Sequence, residues 1–186
     1  MKIFVACSSK SHYEDITEDI SNALAQQGHD LVFGASSTGM MGICMKEFQK
    51  EKRDIISATV QRYKDDLINI PSTEEYLCDT TFDRVKLLYQ KADVILFLPG
   101  GSGTMGELFG ILEEVRTINA KNKLIIYNIP YKEGYFYDFF EELIDRFIKD
   151  YYNDESIKEY YKIVYSKEEL LKEIGEIRWK NFKWKI

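Results

Sequence analysis

Short β-branched runs alternate along this chain with stretches of helical period, and that alternation limits the available folds more than any other feature. IFVA (3–6), LVFGA (31–35), IISATV (55–60), VILFL (94–98), KLIIYN (123–128) and KIVYS (162–166) read as strands. Between them, residues 13–28 set Ile16, Ile20 and Leu24 four apart and stop at Gly28, while 41–52 and 82–92 also read as helices. Further helices are expected from Thr104 to about Ala120 and over 135–152, and Ser166 with Glu169 forms a capping box for the last one. Residues 61–80 read as a polar, proline-containing connection. VILFL is unbroken and apolar, as a central strand covered on both faces should be. The pattern predicts an α/β fold: a doubly wound parallel sheet of about six strands, helices on both faces, joined by right-handed crossovers.

Several function classes are disfavoured at once. A net charge of −6 speaks against a broad nucleic-acid surface. Two histidines leave little for zinc clusters or histidine-based triads, and three cysteines without CxxC spacing do not form a disulfide framework. No stretch approaches the ~20 apolar residues that span a bilayer. The apolar run in MKIFVACSSK is too short for a signal peptide, so a reducing cytoplasm is the expected location. Residues 1–186 are read as one domain, with the basic, aromatic IRWKNFKWKI (177–186) either docking on a dimer partner or a groove, or forming a surface extension that packs its two tryptophans.

In such a sheet, ligands sit beyond the carboxyl ends of the strands. Four segments are expected at that edge: CSS (7–9), GASSTGMMG (34–42), the start of the helix at 82–92, and PGGSGT (99–104). A helix from Phe82 to Lys91 rises about 15 Å, and the strand 94–98 returns about 16 Å. Arg84 is thereby brought level with Gly100. Gly100, Gly101 and Gly103 let the backbone turn its amides outward, and a helix opening at Thr104 presents unpaired N–H groups to an anion. The segment is neither a Walker A loop nor the dinucleotide GxGxxG. Two readings of Thr104-x-x-Glu107 stand at this point: a capping box, or a carboxylate placed beside a bound anion. A second glycine-rich junction, with Gly34, Gly39 and Gly42 at the same edge, favours the anion site.

PGGSGTMGE (99–107) fits the PGGxGTxxE signature of the LOG family, the cytokinin riboside 5'-monophosphate phosphoribohydrolases, often labelled lysine decarboxylase-like. VACSS, GASSTGMMG and TFDRVK resemble three further family segments in the right order, so the resemblance covers roughly residues 3 to 148. It implies a Rossmann-like homodimer that hydrolyses a nucleoside 5'-monophosphate to free base and ribose 5-phosphate, with no metal or organic cofactor. It places the catalytic roles on Arg84 and Glu107, the phosphate on Gly100, Gly101, Ser102, Gly103 and Thr104, and other substrate contacts on Ser8, Gly39, Met41 and Gly42. The chain departs from the pattern at Ala35, Ser36, Val85, Gly106, Glu113 and Glu114. These departures bear on base recognition more than on phosphate and ribose.

The expected partner is a small nucleotide, AMP or an N6-substituted AMP, and neither nucleic acid nor a membrane. The alternatives are a nucleoside deoxyribosyltransferase and a non-catalytic nucleotide- or molybdenum-cofactor-binding protein. Literal lysine decarboxylation is not expected, because no lysine lies in the phosphate loop to hold pyridoxal phosphate.

Overall fold

The computed structural model describes residues 1–120 and 124–183, with side chains as far as Ile177. In β1 (Lys2–Ala6), Ile3 and Val5 face one side and Phe4 and Ala6 the other, all four buried. Successive strand side chains point to opposite faces, so a strand apolar at every position needs a layer of helices on each side. The chain continues through α1 (Glu14–Gln26), β2 (Asp30–Phe33), α2 (Gly39–Lys50), β3 (Ile55–Val60) and a 3-10 segment at Gln61–Asn69. Next come β4 (Glu74–Cys78), α3 (Thr81–Lys91), β5 (Val94–Phe97), α4 (Ser102–Thr117) and β6 (Leu124–Tyr127). A hairpin of β7 (Pro130–Tyr131) and β8 (Gly134–Tyr135) leads into α5 (Asp138–Lys149), a 3-10 turn at Glu155–Glu159, β9 (Tyr161–Val164) and α6 (Lys167–Lys183).

Seven strands form one parallel sheet in the order β4-β3-β2-β1-β5-β6-β9. Ile20 and Leu24 of α1, Phe48 of α2 and Leu170 and Ile174 of α6 pack on one face, with Ile3, Val5 and Leu96. Leu88 of α3, Leu108 and Ile111 of α4, and Phe140 and Ile144 of α5 pack on the other, with Phe4, Ile95 and Phe97. The chain moves outward from β1 to β4 and then crosses back to β5 on the other side of β1. That reversal opens a crevice at the carboxyl ends of β1 and β5.

The sheet thus has one strand more than the six expected. β4 lies inside the stretch read as a connection; at the sheet edge, its residues alternate between more and less exposed positions and carry Glu74 and Glu75. An edge strand buries one face at most, so it lacks the continuous apolar run that marked the others. Residues 130–135 make the small hairpin, and the aromatic-rich helix begins only at Asp138. The α6 cap is close to the expected box: Ser166 Oγ accepts the Glu169 N–H, while Glu169 Oε2 reaches one residue further back to the Tyr165 N–H. The backbone of 177–183 continues α6 rather than forming a separate extension. Lys123, the side chain of Trp179, and Trp184 lie outside the described residues.

Candidate functional site

The switch-point crevice is a cavity of about 620 Å³, in the range of small-molecule sites. All four segments expected at this edge reach it. Ser8 and Met41 stand on its wall, as do Gly101, Ser102, Gly103 and Thr104, with Arg84 and Glu107.

Arg84 and Glu107 meet across 23 residues of sequence. Arg84 Nη2 donates to Glu107 Oε1 at 2.5 Å, and Arg84 Nη1 donates to the Gly34 carbonyl at 3.3 Å. Each group arrives for a local reason. The α3 N-cap Thr80 accepts the Asp83 N–H at 3.1 Å, which anchors the turn that carries Arg84. Glu107 sits one turn further into α4 than Gly103 and is 7% exposed. Burial pushes the Glu107 carboxyl above its ordinary range, and the Arg84 guanidinium opposes that rise. Arg84 Nε is buried without a hydrogen-bond partner among the described residues.

The capping-box reading does not hold. α4 begins at Ser102, two residues before the expected start, and its N-cap is Gly101, which has no side chain to offer. Thr104 lies inside the first turn, nearly buried, and Glu107 turns to Arg84 instead of to the Thr104 N–H. Ser102, Gly103 and Thr104, which open α4, line the cavity, and their N-cap offers the first amides no side-chain bond, at a helix end whose dipole also favours an anion.

The second glycine junction differs. Its helix start is already occupied: the Met41 N–H donates to the Ser8 carbonyl at 3.2 Å and the Met40 N–H to the Lys10 carbonyl at 3.3 Å. Gly39, at φ 58°, would place a Cβ 2.4 Å from the Ser9 carbonyl carbon, and Gly42 would place one 2.3 Å from the Ser37 oxygen. Neither stands on the cavity wall; the two allow α2 to dock against the loop after β1. Gly100 is also behind the wall, its missing Cβ position 2.0 Å from Thr104 Oγ1. Ala35, where the resembling pattern has glycine, adopts φ 58° all the same, so the departure leaves the left-handed backbone path intact.

The sequence reading missed one wall. Thr59, Tyr63 and Asp66 line the cavity from the end of β3 and the 3-10 segment, and Lys10 lines it from the loop after β1. The signal was present: 55–60 is a parallel strand, so whatever follows it must emerge at the same edge. Cys7 lies on the floor, its thiol pushed up by its hydrogen bond with Cys44 and then by burial. A neutral thiol there offers no nucleophile. Among the described residues no group of three or more His, Cys, Asp or Glu could hold a metal, and no helix is long and apolar enough to cross a membrane.

A doubly wound parallel sheet with its cavity at the switch point defines a Rossmann-like α/β fold class. Within that class, the family described as "Possible lysine decarboxylase" matches residues 20–174, and the chain belongs to it. Its curated relatives include the cytokinin riboside 5'-monophosphate phosphoribohydrolase LOG of Oryza sativa subsp. japonica, 27% identical over 154 residues. That match covers 80% of this chain and 62% of the rice protein. LOG3 of Arabidopsis thaliana is 24% identical over 180 residues, covering 94% of this chain and 82% of the relative. Among solved structures, the molybdenum cofactor binding protein of Rippkaea orientalis superposes with a TM-score of 0.65 at 14% identity, over 95% of this chain and 94% of that one. The Moco carrier protein of Chlamydomonas reinhardtii gives 0.65 at 13%, over 96% and 98%. At such identities these likenesses show the fold.

Proposed function

We propose that the chain hydrolyses the N-glycosidic bond of a nucleoside 5'-monophosphate, AMP or an N6-substituted AMP, releasing free base and ribose 5-phosphate. The observation that carries this reading is the ion pair of part-buried Arg84 with buried Glu107, one turn from an uncapped helix start. The α4 amides at Ser102, Gly103 and Thr104 take the phosphate, which fixes the ribose against the pair. As the bond from C1' to the base breaks, positive charge grows on the ribose, and the Glu107 carboxylate stabilises it and orients or deprotonates the attacking water. The water oxygen bonds to C1', and the base leaves with a proton on nitrogen. Arg84, permanently charged, holds Glu107 in place and clamps phosphate or assists the departing base. The names of the curated relatives agree with this chemistry. The same reading takes the protein to be a homodimer in the cytoplasm.

The test is a panel of nucleoside 5'-monophosphates assayed for free base together with ribose 5-phosphate. Release of both in equal amounts supports hydrolysis. Nucleotide binding with no base released from any member would mark a binding protein, a role the same fold can serve.

A further inference from the structure

From the wall that the sequence reading missed, and resting on the hydrolase reading above, we infer that Tyr63 and Asp66 select the base, favouring one that presents an exocyclic amino group over one that presents a carbonyl. Along the sheet edge the order is β5, β1, β2, β3. The uncapped start of α4 follows β5, and Arg84 reaches the Gly34 carbonyl at the end of β2. Tyr63 and Asp66 lie beyond β3. From β5 to β3 is three strand spacings, about 14 Å at ~4.8 Å each, a span suited to an extended nucleoside monophosphate. With the phosphate at α4 and the glycosidic bond at Glu107, the base lies toward the 3-10 segment.

The chemistry of that end is specific. Two carboxylates line the cavity, Glu107 and Asp66. Glu107 is paired with Arg84, whereas no hydrogen bond or ion pair occupies Asp66 among the described residues. An ionised carboxylate only accepts hydrogen bonds, so it pairs with an amino group and opposes a carbonyl oxygen. An N6-substituted amine still keeps one N–H for it. Asp66 at this end also turns a phosphate away, which sets the direction in which the nucleotide lies. Tyr63 sits three residues earlier, about one 3-10 turn, at a kink where φ is −117° and ψ is 21°. Its half-exposed ring, with the Arg62 guanidinium 5.5 Å from the centroid, supplies an aromatic surface at the same wall.

Equilibrium titration tests this in the Glu107→Gln background, where turnover does not interfere. AMP is expected to bind about tenfold more tightly than IMP, and Asp66→Asn, which both donates and accepts, brings that ratio below about threefold. Tyr63→Leu weakens both nucleotides alike, and the affinity for ribose 5-phosphate stays unchanged in both variants. Equal affinity for AMP and IMP, or a ratio indifferent to Asp66→Asn, overturns the inference. Preferential AMP binding by a wild-type protein that releases no base would sink the hydrolase reading and leave this one standing.

Discussion

Gly34 and Arg84 occupy one another's space: a Cβ at residue 34 would lie 2.8 Å from Arg84 Nη1, the same nitrogen that donates to the Gly34 carbonyl at 3.3 Å. The absent side chain leaves room for the guanidinium between the Gly34 carbonyl and Glu107. Gly34→Ala should displace the end of a flexible side chain rather than the backbone, lowering kcat/KM by about tenfold or more for a shift near 1 Å. Thermal unfolding should change little. A variant with full activity would show that the Arg84 position is not critical.

Glu107→Gln keeps the shape and an oxygen for Arg84 but removes the negative charge. Turnover should fall by about 10²–10⁴, while the phosphate is still held by the α4 amides. Calorimetric titration with AMP beside a base-release assay separates the two effects. Loss of binding together with loss of the folded state would return Glu107 to a purely structural role.

The pH dependence follows from the raised Glu107 carboxyl. If the ionised form is active, the rate rises with pH and its acid limb lies above the ordinary value of 4.5. Arg84→Gln removes the charge that opposes the rise, so the limb should move to higher pH. For stability the sign is opposite to that of an ordinary paired acid. The folded protein holds the Glu107 proton more tightly than the unfolded chain, so this group's contribution falls as pH rises from 4.5 through the folded value. Rate profiles and pH-dependent unfolding of both proteins check these directions.

Glu74 behaves conversely at the edge strand. Lys91 donates to its Oε2 at 2.7 Å and the Tyr76 hydroxyl at 2.6 Å, holding the carboxyl at about 2. Its contribution is present above the ordinary 4.5 and lost as pH falls toward 2. The side chain is 38% exposed, so solvent screening keeps the effect below about 1 kcal/mol. Glu74→Gln should flatten the acid side of the stability profile by that amount in urea titrations.

Gly39→Ala and Gly42→Ala test the docking of α2. Backbone atoms of Ser9 and Ser37 stand 2.4 Å and 2.3 Å from the added Cβ, and backbone cannot swing aside as Arg84 can. Each variant should lose about 1–3 kcal/mol of stability from overpacking, with additional strain at Gly39 from its φ of 58°. Chemical denaturation checks this. Unchanged stability would mean that the loop after β1 moves freely.

Periodicity and turn chemistry are local, and they were enough to establish the parallel sheet, its central strands and the glycine turn before Glu107 from the residues alone. They were also enough to bring Arg84 to the sheet edge of the glycine loop, where it lines one cavity with Gly101, because that inference needs only the rise of one helix and the return of one strand. What each group then does depends on contacts between distant segments. Thr104-x-x-Glu107 is compatible both with a cap and with an ion pair, and the choice fell to the pair only because the chain crosses back from β4 to β5 and sets α3 beside α4. Two glycine-rich junctions look alike in one dimension, yet one leaves its amides open and the other gives them to the carbonyls of Ser8 and Lys10. Strand order and packing, which no single segment encodes, decided those roles and brought Tyr63 and Asp66 to the cavity.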